Sequence, residues 1–551
     1  MRYPMRRTLI SFALLLLAVS AGCGSGSSSS AGSAGAPVNG GTLRGAIPDN
    51  PDHLDTGISF AVEGWELLEA TNNGLLTFKK AGGGQQSVIE PDIATAMPVV
   101  TDNGRTYTFQ VRKNVMFSPP VNRAVRPSDF QYAIERLFHV GSPGVGFYTN
   151  IVGADAYAAH HAPHISGIVA NDKTGTIAFH LVKPDGAFLD DMAIPFAFAV
   201  PAGMPYKDIS TDPQWRVATG PYMIKTYTPK QQIVLVRNPN FHQWTSASPK
   251  GHVNEVDITI GTTPEQAVNE TIDGQLDWYM EAVPPDRFTA LRAQYPKQTF
   301  LFPRNNVTYF SMNTRKPPFD KLAVRQAVNY AIDRNALVKI FGGQGIPSET
   351  VLPPGFGSSY QEHHLYPHDL AKAKQLIQQA GATGASVQIW TTNADPAPKA
   401  AEYLASVLSQ IGLNVTGVKA VDDSVYWDTL LTQSGDPQIA FNHFDQDFPE
   451  GEDFIDTTLN GEHIVNVGNN DVSNTNDPTL NAMIDRTKLM PLGAARNAQW
   501  AKIDAYFMQH DAGWAPFLHL EQATFVSPRL HGLIFTGSYF ELIPEMWLSK
   551  Q

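Results

Sequence analysis

The chain of 551 residues carries one cysteine, Cys23, and that thiol is the most constrained chemistry it offers. A lone cysteine makes no internal disulfide and offers no cysteine-rich metal cluster, so its use has to be read from its surroundings. The histidines fall into two groupings, His160-His161 with His164, and His363-His364. Neither spacing is completed by further ligands into a zinc pattern, so both read as solvated loop histidines. DNPDHLD (49–55) misplaces the glycine and the terminal glutamate of a calcium loop. Asp190-Asp191 and Glu452-Asp453 are adjacent acids. General acid/base work needs two carboxyls facing one bond, and adjacency does not supply that. No G-x-S-x-G elbow, P-loop or G-x-G-x-x-G after a strand occurs. No catalytic constellation, cofactor motif or metal pattern is thus found, and the alternative of a secreted hydrolase has no residues to support it.

The elements around Cys23 say where such a thiol would act. Residues 1–22 place Arg2, Arg6 and Arg7 before an apolar run from about Leu9 to Val19, then small residues. This is the layout of a removable secretory signal, too short to span a bilayer comfortably. Cys23 behind Ala21-Gly22 matches a bacterial lipobox, with Ser20 where leucine is usual. The Arg6-Arg7 pair hints at twin-arginine export. Residues 24–37, GSGSSSSAGSAGAP, form an uncharged tether spanning roughly 20 Å as a flexible coil. The expectation is a lipid anchor at Cys23 and a body that swings above the membrane, in a periplasm or on the outer face of a cytoplasmic membrane. Several acyl chains at about 0.8 kcal/mol per buried methylene would hold firmly.

The body is acidic. Net charge is −12, and losing the three leader arginines makes it more negative still, which disfavours nucleic acid and anionic membrane as partners of the body. Apolar residues make up 42%, enough for large cores, and the length suggests three or four domains. In TYTFQVRKNVMF (106–117) Tyr107, Phe109 and Val111 alternate with polar residues, which predicts a half-buried strand. RPSDFQYAIERLF (126–138) follows as a helix capped by Ser128, with Phe130, Ile134, Leu137 and Phe138 as its apolar stripe. TIAFHLVKP (176–184) and QQIVLVRNP (231–239) read as strands, and AVEGWELLEA (61–70) as a short helix. GGGQQ (82–86) reads as a hairpin loop. The second half alternates: one long helix over 321–341, a helix over 369–381 stopped by Gly381, strand 386–390, helix 398–412, a strand from Leu413, a helix from Val425 and strand 437–444. Such alternation predicts a mostly parallel sheet covered by helices.

Six blocks, in order, resemble the large solute-binding proteins of ABC importers, the oligopeptide/dipeptide/nickel-binding family. They are GGTLRGAIPDNPDHLDTG; IEPDIATAMPVVTDNGRTYTFQVRKNVMFS with RPSDFQYAIERL; TGPYMIKTYTPKQQIVLVRNPNFHQW; YFSMNTRKPPFDKLAVRQAVNYAIDRNALV; LYPHDLAKAKQLIQQAG; and WAPFLHLEQATFVSPRLHG. The resemblance implies an α/β, two-lobed periplasmic-binding-protein-like fold of the large three-domain, type II-like kind, with a hinge between lobes. It implies domain I over 38–73, 185–300 and 515–551, domain II over 74–184 and domain III over 301–514. It further implies a monomer that captures a small solute by lobe closure and hands it to importer permease subunits. A peptide is the solute expected; nickel complexes, oligosaccharides, haem and opines stay open.

By the same resemblance FDQDFPEGEDF (444–454) holds the principal contacts. Asp447 takes the place of an aspartate that pairs with a peptide's α-ammonium, and Phe444 that of an aromatic wall. A carboxylate enclosed in a cleft gains from charge-assisted hydrogen bonds to such a cation. Gly451 stands where a proline is expected. Phe60, Val62, Tyr148, Tyr279, Met280 and Phe310, with Tyr309 beside it, fall at positions that line the family's pocket. Arginines that catch a ligand carboxylate in some relatives are absent: Phe441, Leu430 and Leu431 occupy that region.

Overall fold

A computed structural model describes residues 36–82, 87–245, 248–432, 437–537 and 540–549. The leader, Cys23, the tether as far as residue 35 and most of the GGGQQ loop lie outside the described residues. Among those described, no helix is long and apolar enough to cross a membrane.

The first lobe contains two large sheets, with three two-stranded ribbons beside them among the described residues. In the five-stranded sheet, Thr42–Ile47 runs parallel to both Glu255–Ile260 and Trp278–Tyr279. The hairpin Tyr222–Thr228 and Gln232–Arg237 completes it antiparallel. Its core is Leu43, Ile47, Leu235, Val256, Ile258 and Trp278. The four-stranded sheet is antiparallel, in the order Val99–Thr101, Thr106–Gln110, Thr176–His180, Ile168–Asn171. Tyr107 and Phe109 face its core, as the alternation predicts. The strand is shorter than 106–117, because the Val111 N–H leaves the ladder for Gly175 O (2.8 Å) and the Arg112 N–H for Ile93 O (2.9 Å).

The helix of this lobe, Pro127–Val140, corrects the expected cap. Pro127 lacks an N–H and presets its own φ, so the helix starts two residues earlier than a Ser128 cap would allow. Arg126 is the N-cap residue, and Asp129 accepts its backbone N–H at 2.8 Å. The Ser128 hydroxyl donates instead to Asp172 at 2.8 Å.

The second lobe is built on a seven-stranded sheet that is mixed, not mostly parallel. Ser386–Thr392, Asn414–Val421 and Ile439–Asp445 are parallel and joined through helices Ala397–Gln410 and Asp423–Leu430. Asn306–Met312 and Trp514–Phe525 pair antiparallel, since these two strands bring the chain into the lobe and take it out again. The predicted 321–341 helix is two, Leu322–Ala331 and Arg334–Ile340. The Asp333 carboxylate accepts the N–H groups of Asn335 (2.9 Å) and Ala336 (3.3 Å), restarting the helix as a fresh N-cap.

Two strands join the lobes. Thr299–Pro303 pairs with Glu521–Phe525. Along the single strand Trp514–Phe525, Ala515, Phe517 and Leu518 sit in the second-lobe core. Ala523 and Phe525 pack with Val268 and Phe288 of the first lobe. Residues 300–301 and 514–515 lie within these two strands. The molecule is thus two-lobed with a paired-strand hinge. A buried carboxylate ties the first lobe's ends together: Asp277 accepts from Arg44 (3.0 Å) and from Arg529 (2.6 Å).

Candidate functional site

The lobes touch through aromatic rings. Phe60, 44% exposed, packs on Phe196 with centroids 5.7 Å apart. Phe196 lies 6.0 Å from Phe147, and Phe147 meets Phe448 of the second lobe at 6.4 Å, edge to face. Phe448 thereby belongs to the first lobe's apolar cluster. The Gly186 N–H donates across the same interface to Lys488 O at 3.2 Å.

Asp447 stands beside this contact, on the loop after strand Ile439–Asp445. The loop is fixed from below: the Gln446 N–H donates to Asn305 O (3.1 Å), and Asn305 Nδ2 donates to Gln446 Oε1 (2.7 Å). The Asp447 N–H donates to Asp453 Oδ2 at 2.8 Å, in the first turn of helix Gly451–Leu459. The Asp447 side chain is half-buried and accepts no hydrogen bond from a described residue. Burial, then the nearby Asp445 charge, push its carboxyl up to about 7. An unpaired, desolvated carboxylate gains most from an incoming cation.

Charges from both lobes meet nearby. Arg304, just past the hinge strand, is ion-paired with Asp445 at 3.0 Å. Burial works against its guanidinium charge, but Asp445, Glu281 and Glu63 outweigh it. Glu63, in the first turn of helix Val62–Thr71, neighbours Glu281. Burial first, then the adjacent Glu63 carboxyl, push the Glu281 carboxyl up to about 8. The site therefore presents acids from both lobes around one arginine.

Of the residues expected from sequence, Asp447, Phe60 and Val62 come to this region. Phe444 is half-buried, edge to face with Phe454 at 5.0 Å. The others are enclosed. The Tyr148 hydroxyl donates to Asp191 O (2.7 Å) and the Tyr279 hydroxyl to Thr262 O (3.0 Å). Phe310 packs on Phe517 at 5.0 Å, and Tyr309 stacks on Trp514 at 3.6 Å. Met280 is in the first-lobe core, with its carbonyl accepting from Gln522 Nε2 at 3.4 Å. Phe441, where an arginine clamp was sought, is also core.

Arg304, Glu281, Glu63 and Asp445 were missed. Glu63 directly follows the expected Val62 in the first turn of a helix, and Glu281 directly follows the expected Met280 just past the strand Trp278–Tyr279. Arg304 lies far from Asp447 in sequence, and only the pairing of Asn306–Met312 with Ile439–Asp445 brings them together.

The histidines need one correction. His160 and His161 are exposed, as is His364, but His363 is not a solvated loop residue. Its side chain is 5% exposed and lies 3.5 Å from Asp504. Burial disfavours its charged form, yet bonding to Asp504 and the charges of Asp504, Glu349 and Glu362 hold its pKa above the usual value. Glu349, Glu362 and His364 place ligand atoms within 4.8 Å of one another. Their carboxylates are already engaged, Glu349 with the Tyr366 N–H (2.8 Å) and Glu362 with Tyr360 (2.6 Å) and Ser348 (3.0 Å). Arg334 lines the same recess, an unfavourable neighbour for a metal cation.

Comparison with known proteins agrees with this fold. The family model described as bacterial extracellular solute-binding proteins, family 5, middle portion, matches residues 88–466. Heme-binding protein A of Haemophilus influenzae is 26% identical over 490 residues, 84% of each chain. The dipeptide-binding protein of Escherichia coli is 27% identical over 312 residues, 53% of this chain and 55% of that protein. Among solved structures, clavulanic acid biosynthesis oligopeptide binding protein 2 is similar with a TM-score of 0.86 and 25% identity, covering 93% of this chain and 96% of that one. The periplasmic binding protein DppA of Helicobacter pylori, in complex with the peptide STSA, gives a TM-score of 0.76 at 22% identity, covering 93% and 99%. At that identity the likeness concerns the fold.

Proposed function

The chain belongs to the bacterial extracellular solute-binding proteins of family 5, and from that premise we propose that it captures peptides between its lobes for an ABC importer. Asp447 takes the peptide's α-ammonium, and Phe444, Phe448 and Phe60 supply apolar walls. Glu63, Glu281 and Arg304 face the ligand's backbone and carboxylate from the hinge side. The ligand contacts both lobes, so it stabilises the closed arrangement by its differential affinity. Closure excludes water and strengthens each polar contact. The permease then recognises the closed body. Cys23 carries the lipid anchor and residues 24–37 the tether, placing capture outside the cytoplasmic membrane. Tyr148, Tyr279, Met280, Tyr309 and Phe310 support the walls from within the cores.

The observation that carries this reading is the unpaired, half-buried Asp447 carboxylate beside the interlobe contact. The test is calorimetric titration with free and N-acetylated tripeptides. The free amine should bind at least tenfold more tightly, and Asp447→Ala should abolish that preference, a loss of at least ~1.5 kcal/mol. Equal affinity for both forms removes the assigned role. Mass spectrometry of co-purified solute decides between a peptide and a haem, nickel, sugar or opine ligand.

A further inference from the structure

A second space opens between the lobes beyond Asp453 and Phe448. It encloses about 680 Å³, within the ~300–1,000 Å³ common for small-molecule sites. Its walls come from both lobes: Phe147, Asp185 and Asp191 from the first, Glu452, Asp453 and Asp485 from the second. Among the described residues lining it, seven are Asp or Glu and two are Lys, with His463 at its edge. One of the lysines, Lys488, is ion-paired with Asp456.

Asp191 points into this space without a partner. It is 5% exposed, and its carboxylate accepts no hydrogen bond from a described residue. Its backbone carbonyl is held by the Tyr148 hydroxyl at 2.7 Å, so the residue does not turn away freely. Burial, then the charges of Asp185, Asp190, Glu452 and Asp453, hold the Asp191 carboxyl well above its usual range. Acids of one lobe thus face acids of the other across the cavity. Glu452 is ion-paired with Arg496 and Asp456 with Lys488, so Asp191 is the buried carboxylate here that still lacks a counter-charge among the described residues. The acids line the space without converging. Among the described residues, the group whose ligand atoms lie within 4.8 Å of one another is Glu349, Glu362 and His364, elsewhere in the second lobe. Spread carboxylates suit an extended organic cation better than a compact metal ion.

We propose that this acidic interlobe cavity receives a protonated amine or guanidinium of the captured solute, so that the solutes taken are basic. The inference rests on the solute-capture reading of the adjoining cleft and names the class of solute. A cation entering from the Asp447 side passes Asp453, the wall common to both spaces, and neutralises Asp191, while Glu452 keeps its own partner Arg496. The lobes then close over a paired charge.

The test is calorimetric titration of the full chain with tri-lysine, tri-alanine, tri-glutamate and spermidine. Tri-lysine should bind at least tenfold more tightly than tri-alanine and lose affinity steeply with added salt. Asp191→Asn should shrink the ratio between tri-lysine and tri-alanine at least tenfold. The salt dependence of the unmutated chain decides the matter should the variant fold poorly. Tri-alanine or tri-glutamate binding as tightly as tri-lysine overturns the acidic-cavity inference while leaving the peptide reading intact. Spermidine binding without any peptide does the reverse. Binding of none of the four overturns both.

Discussion

The Asp447 backbone N–H donates to Asp453 Oδ2 at 2.8 Å, while the Asp447 carboxylate itself faces the cleft with no hydrogen-bond partner among the described residues. Asp447 is therefore a destabilising residue in the empty protein. Its carboxyl is raised from 3.8 to about 7, by burial and then by Asp445. A carboxyl raised on folding contributes stability that is complete below its unfolded pKa and lost as pH rises through the folded one. Between pH 4 and 8 the unliganded protein should lose stability through this group, and Asp447→Asn should gain about 1–3 kcal/mol at pH 8. Urea unfolding at both pH values checks this; a variant less stable at pH 8 contradicts it. A ligand ammonium needs the ionised form, so its affinity should fall as pH drops below about 7.

Phe448 joins lobes that are otherwise linked by the hinge strands and sparse polar contacts. It is 5% exposed, and its partner across the gap is Phe147. Phe448→Ala should weaken solute binding by about 1–3 kcal/mol through lost interlobe burial, and Phe448→Tyr should retain most of the affinity. Calorimetry on the two variants shows whether the contact acts on closure; equal affinity in Phe448→Ala and the parent chain would refute it.

Asp277 holds the first lobe's terminal segments to its sheet. Burial opposes its charge, but hydrogen bonds from Arg529 and Arg44 outweigh it, and its pKa is lowered. The stabilisation is present above the unfolded pKa and lost as pH falls through the lower folded value, below about pH 4. Both arginines keep partial access to water, so Asp277→Asn should cost only about 1–3 kcal/mol at pH 7. The difference between parent and variant should shrink in acid. Urea denaturation at pH 7 and pH 3 measures both; a constant difference rules out the ion pairs as its source.

Cys23 is the predicted point of attachment. Cells fed a labelled fatty acid should incorporate it into the parent chain and not into Cys23→Ser, and the variant should leave the membrane fraction. Equal labelling of both, or of neither, removes the anchor.

Much of the fold was legible because its signals are local. The alternation Tyr107-Phe109, the amphipathic face Phe130-Ile134-Leu137 and the αL glycine Gly381 each depend on a few neighbouring residues. The mixed character of the second sheet was not legible. It arises where Asn306–Met312 meets Trp514–Phe525, about two hundred residues apart in sequence, and no local period records that. The break at Asp333 was visible in principle, since an aspartate followed by two N–H groups is a cap. The apolar stripe of 321–341 runs across the break and hid it. In the site, Asp447 could be placed through a resemblance, but the charges around it could not. Arg304, Glu281 and Asp191 arrive from three separate segments: long-range strand pairing sets Arg304 beside Asp445, and the meeting of the lobes sets Asp191 near the second-lobe acids.

The most direct test of solute capture by closure is small-angle X-ray scattering of the protein before and after addition of its co-purified solute. The ligand-bound profile should match the arrangement described here, with Phe147 against Phe448, and the ligand-free profile should show a larger radius of gyration. Identical profiles at saturating solute would contradict the account.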